Sequence, residues 1–197
     1  ARRGQLMQQA TPAGSGAMAA VLGLDDDVLV GVCEQASEGQ VVSCANFNSP
    51  GQVVIAGDKA AVDRACELAT QAGARRAIPL AVSVPSHCEL MRPAAEALET
   101  VLAGIEVGAP GIPVLHNVST NPAGEPDKVR AALVQQLWRP VRWSDTILRL
   151  VADGVERFAE CGPGKVLAGL NRRISRPSDT VALTDAAALR TTLEKWS

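Results

Sequence analysis

Tyrosine is absent from these 197 residues, and aromatic side chains amount to two Phe and three Trp. That is too few for a base-stacking platform. A formal charge of -2 at pH 7 also argues against binding driven by phosphate neutralisation, so nucleic acid is not an expected partner. Two His and five Cys, with no C-x-x-C pair among them, argue against a metal site and against structural zinc. Scattered Cys in odd number read as reduced thiols of a cytoplasmic protein rather than a disulfide framework. No apolar run approaches the roughly 18 residues of a membrane span, and no signal peptide is visible. Neither the G-x-S-x-G nucleophile elbow nor the G-x-x-x-x-G-K-[ST] phosphate loop occurs.

What is present is a globular composition: 47% apolar and 20% charged, with 17 Gly and 12 Pro. At about 150 residues per domain this is one large domain or two small ones. Leu6, Met7 and Ala10 have helical spacing, so the chain reads as starting inside a helix, with an upstream part missing. Residues 14–82 then alternate regularly. A strand is expected over Ala17–Leu24 and a helix after Asp25 with Val28, Val32, Cys33 and Ala36 on its buried face. Strands are expected next at Val41–Phe47 and Gln52–Ala56 about an Asn48-Ser49-Pro50-Gly51 turn. Asp58 can cap a helix with Val62, Ala65, Cys66 and Ala69 inside, and Ala77–Val82 is a last strand. The order β-α-β-β-α-β is the ferredoxin-like pattern. Beyond residue 82 the pattern predicts a helix over Ser86–Ala103, a strand over Ile112–Asn117, and helices over Lys128–Trp138 and Ser144–Asp153. A strand over Arg157–Cys161, a helix ending at Ile174, a strand over Thr180–Thr184 and a helix over Asp185–Trp196 complete it. Strands alternating with helices imply a largely parallel sheet covered on both faces, and the whole an α/β fold.

His87 is the first candidate for chemistry. Ser86 and Glu89 form a capping-box pattern, which places His87 in the first turn of a helix at a strand end. A helix N-terminus disfavours imidazolium, so His87 there is a neutral general base. The plain alternative is a structural His at a helix start. His116 reads as a packed His in a strand. Arg3 can hold a carboxylate through a two-pronged contact, although a solvated Arg is the ordinary reading. Gly162-Pro163-Gly164-Lys165 joins a strand to a helix and offers amides to an anion, or is simply a tight turn. The Cys read as core residues: Cys88 is next to His87, but successive helical residues do not face each other. A base without a nucleophile is what the residues leave.

Three strings settle that puzzle by likeness. Asn46-Phe47-Asn48-Ser49-Pro50-Gly51-Gln52-Val53-Val54-Ile55-Ala56-Gly57, Val82-Ser83-Val84-Pro85-Ser86-His87-Cys88 and Glu160-Cys161-Gly162-Pro163-Gly164-Lys165-Val166-Leu167 closely resemble the malonyl-CoA:acyl carrier protein transacylases of bacterial type II fatty acid synthesis. Gln135-Gln136-Leu137 and Arg142-Trp143 fit the same family, and the likeness runs from Arg3 to about Ile174 in order and spacing. The resemblance implies an α/β-hydrolase-like acyltransferase subdomain (1–13 and 83–197, incomplete) with an inserted ferredoxin-like subdomain (14–82). It implies transfer of malonyl from malonyl-CoA to the phosphopantetheine thiol of acyl carrier protein through a malonyl-Ser intermediate. In that scheme His87 activates the Ser and then the thiol, and the main-chain carbonyl of Gln136 orients its imidazole. Arg3 pairs with the malonyl carboxylate. Asn48, Gln52 and Arg76 match positions that contact the CoA or pantetheine arm, and Arg75, Arg172 and Arg173 the basic surface facing the acidic carrier. No cofactor or metal is implied, only malonyl-CoA as substrate, in a cytoplasmic protein that is monomeric when complete.

The sequence departs from that family in two ways. The Ser elbow belongs upstream of Arg3, so the chain alone is expected to be inactive. Cys44 stands where the family has Pro. Two other settings fit the same residues: an acyltransferase domain of a larger synthase, or a non-catalytic module that binds CoA or the carrier protein.

Overall fold

The alternation of residues 16–79 resolves into a single sheet with two helices on one face. In the computed structural model, which describes residues 1–12 and 14–197, β1 (Gly16–Leu22), α2 (Asp26–Ser37), β2 (Val42–Ser49), β3 (Gln52–Asp58), α3 (Lys59–Gln71) and β4 (Arg76–Pro79) come after α1 (Arg2–Ala10). The expected element order is therefore found. All neighbours are antiparallel, and the spatial order is β2-β3-β1-β4. Ala13, where the expected boundary of the small subdomain falls, lies outside the described residues.

Strand alternation divides the side chains between the two faces. Ala19, Val21, Val53 and Ile55 point to one face, where they bury against Leu29, Val32, Cys33 and Ala36 of α2 and Val62, Ala65 and Ala69 of α3. The helix face of α2 is rotated from the one expected. Leu29 is buried and Val28 is 46% exposed, because 3.6-residue periodicity puts Leu29, and not Val28, in line with Val32, Cys33 and Ala36. Cys33 shares this core with Cys44 and with half-buried Cys66; hydrogen bonding to Cys44 and burial push the Cys33 thiol up, which removes it as a nucleophile. Met18, Ala45, Val54 and Ala56 point to the opposite face and receive Cys88.

Asp58 stands at the helix start as expected, but not as a side-chain cap. Its carboxylate instead accepts the Val41 N–H at 2.8 Å and its own N–H donates to the Val41 carbonyl. These bonds clamp the β2–β3 ends together, and Gly57 permits the approach, since a Cβ there would collide with the Val41 backbone.

After β4 the expectations diverge more. The strand ends at Pro79 rather than Val82. Residues 80–88 are irregular, a 3-10 turn covers Glu89–Met91, and α4 is confined to Arg92–Ala103. Ile112–Asn117 is not a strand: Pro113 has no N–H to donate, and the segment makes only the Leu115–Pro122 bridge. α5 (Pro126–Gln135) ends three residues early, in a turn. α4 buries Ala94, Ala95 and Leu98 against Leu6 and Met7 of α1, with Met91 and Leu137.

Two compact units divide the chain at Trp143 and Ser144, so the first unit runs across the boundary expected at residue 83. Packing explains this: Cys88 and half-buried Leu90 share a cluster with the sheet, and Val141 bridges to Asn46 of β2. The second unit holds β5 (Arg157–Cys161), α7 (Val166–Ile174), β6 (Asp179–Leu183) and α8 (Ala186–Trp196), with α6 (Trp143–Ala152) leading into it. β5 and β6 pair in parallel. Among the described residues they are the only parallel ladder, so the largely parallel sheet expected after residue 82 reduces to two strands here. Asp185 caps α8 through the Ala188 N–H at 2.8 Å.

Candidate active site

The backbone at His87 is shaped by a proline contact and a tight turn on its N-terminal side. Pro85 seats against Gly16, where a Cβ would collide with the proline ring. A turn bond from the Ser86 N–H to the Val84 carbonyl then brings His87 into a left-handed conformation, φ +63°. His87 is therefore not in a first helical turn, and the capping box is not made: the Glu89 carboxylate is engaged by Arg92. A non-glycine residue in this region costs on the order of 1–3 kcal/mol. Two bonds to one turn offset it. The His87 N–H donates to the Leu137 carbonyl at 2.9 Å, and Nδ1 lies 2.7 Å from the Gln136 carbonyl.

A carbonyl only accepts, so Nδ1 must carry the proton in that bond. That fixes the tautomer and leaves Nε2 with the lone pair. Burial lowers the proton affinity of the imidazole below its ordinary value of 6.5. The hydrogen bond to the Gln136 carbonyl opposes this, the charge of Arg3 adds to it, and the main chain at Arg139 opposes it. The neutral imidazole that a helix N-terminus would favour is here favoured by a different cause, desolvation. Its neighbour Cys88 is no rival nucleophile: it is buried, its thiol donates to the Pro85 carbonyl at 3.2 Å, and burial pushes its pKa up to about 12.

Arg3 reaches this site electrostatically from α1, and partial desolvation lowers its own pKa. An incompletely solvated guanidinium is a good receptor for a carboxylate. Gln52 and Arg76 lie across β1 in one row, Gln52↔Leu22↔Arg76. Partners in an antiparallel row share a face, so both stand on the sheet face that also receives Cys88. Asn48 lies at the register shift between Phe47 and Ser49, next to the Pro50-Gly51 turn. Arg75 folds over Gly23, whose positive φ of 82° and lack of a side chain leave room for it. His87, Gln136, Arg3, Asn48, Gln52, Arg75 and Arg76 therefore all belong to the first unit.

Arg172 and Arg173 belong to the second, on α7, where Arg172 donates to the Thr180 carbonyl at 2.8 Å. The Gly162-Pro163-Gly164 turn there precedes α7. The Glu160 carboxylate accepts the Ala168 N–H at 2.7 Å, so an amide in the first turn of α7 is taken from within the chain. His116 is buried in a loop rather than a strand, its N–H bonded to the Asn121 carbonyl. No group of three or more His, Cys, Asp or Glu that could hold a metal occurs among the described residues, and no helix among them is long and apolar enough to cross a membrane. The Trp138 ring, which sequence reasoning did not single out, carries Arg92 at 3.8 Å and Arg139 at 4.7 Å from its centroid. Arg92 and Trp138 are far apart in the chain, and such a pair leaves no local signal in the sequence.

The family model described as acyl transferase domain matches residues 1–187. The malonyl CoA-acyl carrier protein transacylase of Haemophilus influenzae is 55% identical over 186 residues, 94% of this chain and 60% of that protein. Its namesake in Escherichia coli K12 is 53% identical over 192 residues, 98% of this chain and 62% of that protein. The solved structure of the malonyl CoA-acyl carrier protein transacylase from Coxiella burnetii superposes with a TM-score of 0.97 at 46% identity, covering 98% of this chain and 61% of that one. A structure of a type II PKS acyl-carrier protein in complex with its malonyl-transacylase superposes at 0.96, with 51% identity over 98% of this chain and 62% of that chain. The chain thus spans about 60% of the length of the curated relatives it matches.

Proposed function

The chain belongs to the acyl transferase domain family, and from that premise we propose that it is the base-bearing part of an enzyme that moves malonyl from malonyl-CoA to the phosphopantetheine thiol of acyl carrier protein. The observation that carries this reading is the His87–Gln136 pair: a half-buried imidazole whose Nδ1–H is spent on a carbonyl, which leaves the lone pair on Nε2, and whose burial favours the neutral form. In the reaction, Nε2 accepts the proton of a Ser hydroxyl as that oxygen attacks the malonyl thioester, and returns it to the departing CoA sulfur. It then takes the proton of the incoming pantetheine thiol as that sulfur attacks the ester, and gives it back to the Ser. The Ser is supplied from outside these 197 residues, which contain no elbow motif.

A carbonyl in place of the usual triad carboxylate holds the ring without adding a negative charge. Arg3 holds the malonyl carboxylate, supported by its electrostatic reach to His87. Asn48, Gln52 and Arg76 hold the CoA or pantetheine arm, supported by the shared sheet face of the last two. Arg75, Arg172 and Arg173 offer positive charge to an acidic carrier. The β2-β3-β1-β4 sheet with α2 and α3 supports a ferredoxin-like subdomain, set within an α/β-hydrolase-like one. No resident cofactor enters this scheme.

In protein expressed from the complete reading frame, His87→Ala lowers malonyl transfer to holo acyl carrier protein by roughly a hundredfold to ten-thousandfold. Transfer at the wild-type rate in that variant contradicts the reading.

A further inference from the structure

The turn that holds His87 is the end of a helix, and helix ends fray unless something anchors them. α5 stops at Gln135. The Gln136 N–H still donates to the Ala132 carbonyl at 3.0 Å and the Arg139 N–H to the Gln135 carbonyl at 2.9 Å, but between them the chain tightens into longer turn bonds, Leu137 N–H to Val134 and Trp138 N–H to Gln135, both at 3.2 Å. Yet the carbonyls of Gln136 and Leu137 must stay within hydrogen-bond reach of His87. A second tie runs beside those bonds. Arg92 opens α4, directly after the 3-10 turn next to Cys88. Its guanidinium lies 3.8 Å from the Trp138 ring centroid, and its plane is fixed by two bonds to Glu89: Nε to Oε2 at 2.8 Å and Nη2 to Oε1 at 2.9 Å. Arg139 covers the same indole at 4.7 Å, and the ring is half-buried against the cluster containing Met91 and Leu137.

We infer that Trp138, stacked with Glu89-fixed Arg92, is a positioning residue that holds the Gln136 carbonyl against the His87 ring. The stack joins the same two segments as the His87 bonds, a few residues from each. Cation–π contact of this kind matches an ordinary hydrogen bond in strength, so its loss is enough to loosen the turn. The indole's part is positional: it acts through the tautomer of His87. The inference rests on the reading of His87 as base only for its functional meaning. Its geometry stands alone.

The test is tautomer measurement on 15N-labelled protein from the complete reading frame, with long-range proton–nitrogen correlations separating Nδ1–H from Nε2–H imidazole. His116, in its own loop, is the internal control for folding. Wild-type His87 is the Nδ1–H form. Trp138→Ala lowers its Nδ1–H to Nε2–H ratio about fivefold, the worth of one ordinary hydrogen bond. Arg92→Ala lowers it by a smaller factor, and Arg92→Lys, which keeps a cation over the ring, restores it. If both alanine variants keep the wild-type His87 ratio with His116 unchanged, the clamp is overturned. A shift in Trp138→Ala that Arg92→Ala does not share assigns the effect to bulk packing and also overturns it. If Trp138→Ala loses the His116 signals, the half-exposed Arg92 pair decides alone. A transfer assay indifferent to His87 would overturn the proposed function and leave this ratio as it is.

Discussion

The sheet of residues 16–79 and the segment of residues 80–142 lie in one compact unit but are held together by different physics. In the sheet, side-chain identity does the work. Small and β-branched residues alternate between two apolar faces, and backbone bonds are satisfied within regular ladders. In the second region the irregular stretches borrow their bonds: Val141 from Ala45, Arg142 from Asn117, His87 from Leu137. The first is rigid by repetition. The irregular stretches of the second are held through particular carbonyls, and His87 sits there. A scaffold built on periodic burial leaves the irregular segment free to adopt the one backbone conformation, φ +63° at His87, that regular structure forbids.

That contrast can be broken from either side. The largest stability effect is expected in the sheet. Ile55 is fully buried between α2 and α3, and Ile55→Ala leaves a cavity worth about 2–5 kcal/mol in urea unfolding. A loss under about 1 kcal/mol would mean the sheet is not the scaffold. Next comes Arg3. In protein from the complete reading frame, Arg3→Ala lowers malonyl transfer roughly tenfold to a hundredfold, the worth of a charge-assisted bond, and acetyl transfer far less. Arg2→Ala, one residue away, changes both little. Equal losses for the two acyl groups would detach Arg3 from the carboxylate.

The smallest effect is the pH dependence of stability. The His87 pKa is lowered by burial, so the unfolded chain takes up its proton first as pH falls below about 6.5. Stability attributable to His87 is full above that value and is lost as pH falls toward the lowered one. His87→Asn therefore makes unfolding free energy less steep between about pH 7 and 5. An equal slope in both proteins would mean that the ring is not desolvated.

Periodicity made the sheet legible in advance: Val32, Cys33 and Ala36, or Val62, Ala65 and Ala69, announce their helices from spacing alone. The exposed Val28 shows the limit of that signal, since a face one residue off satisfies much of the same pattern. His87 was legible as a residue but not in its setting. The Ser86–Glu89 capping pattern pointed to a helix start, and nothing local says that Glu89 turns to Arg92 instead. The Gln136 carbonyl is a main-chain atom 49 residues away from the imidazole it meets, and carries no residue code at all. Family resemblance, and not spacing, singled it out. The Ile112–Asn117 strand failed because its apolar run is broken by Pro113, a signal that was present and outweighed.

The most direct test of the central claim is the pH profile of kcat/KM for malonyl transfer by protein from the complete reading frame. A neutral, desolvated His87 acting as base predicts an acid limb whose midpoint lies below the ordinary imidazole value of 6.5 and which vanishes in His87→Ala. A midpoint at or above 6.5, or a limb that survives in the variant, would contradict it.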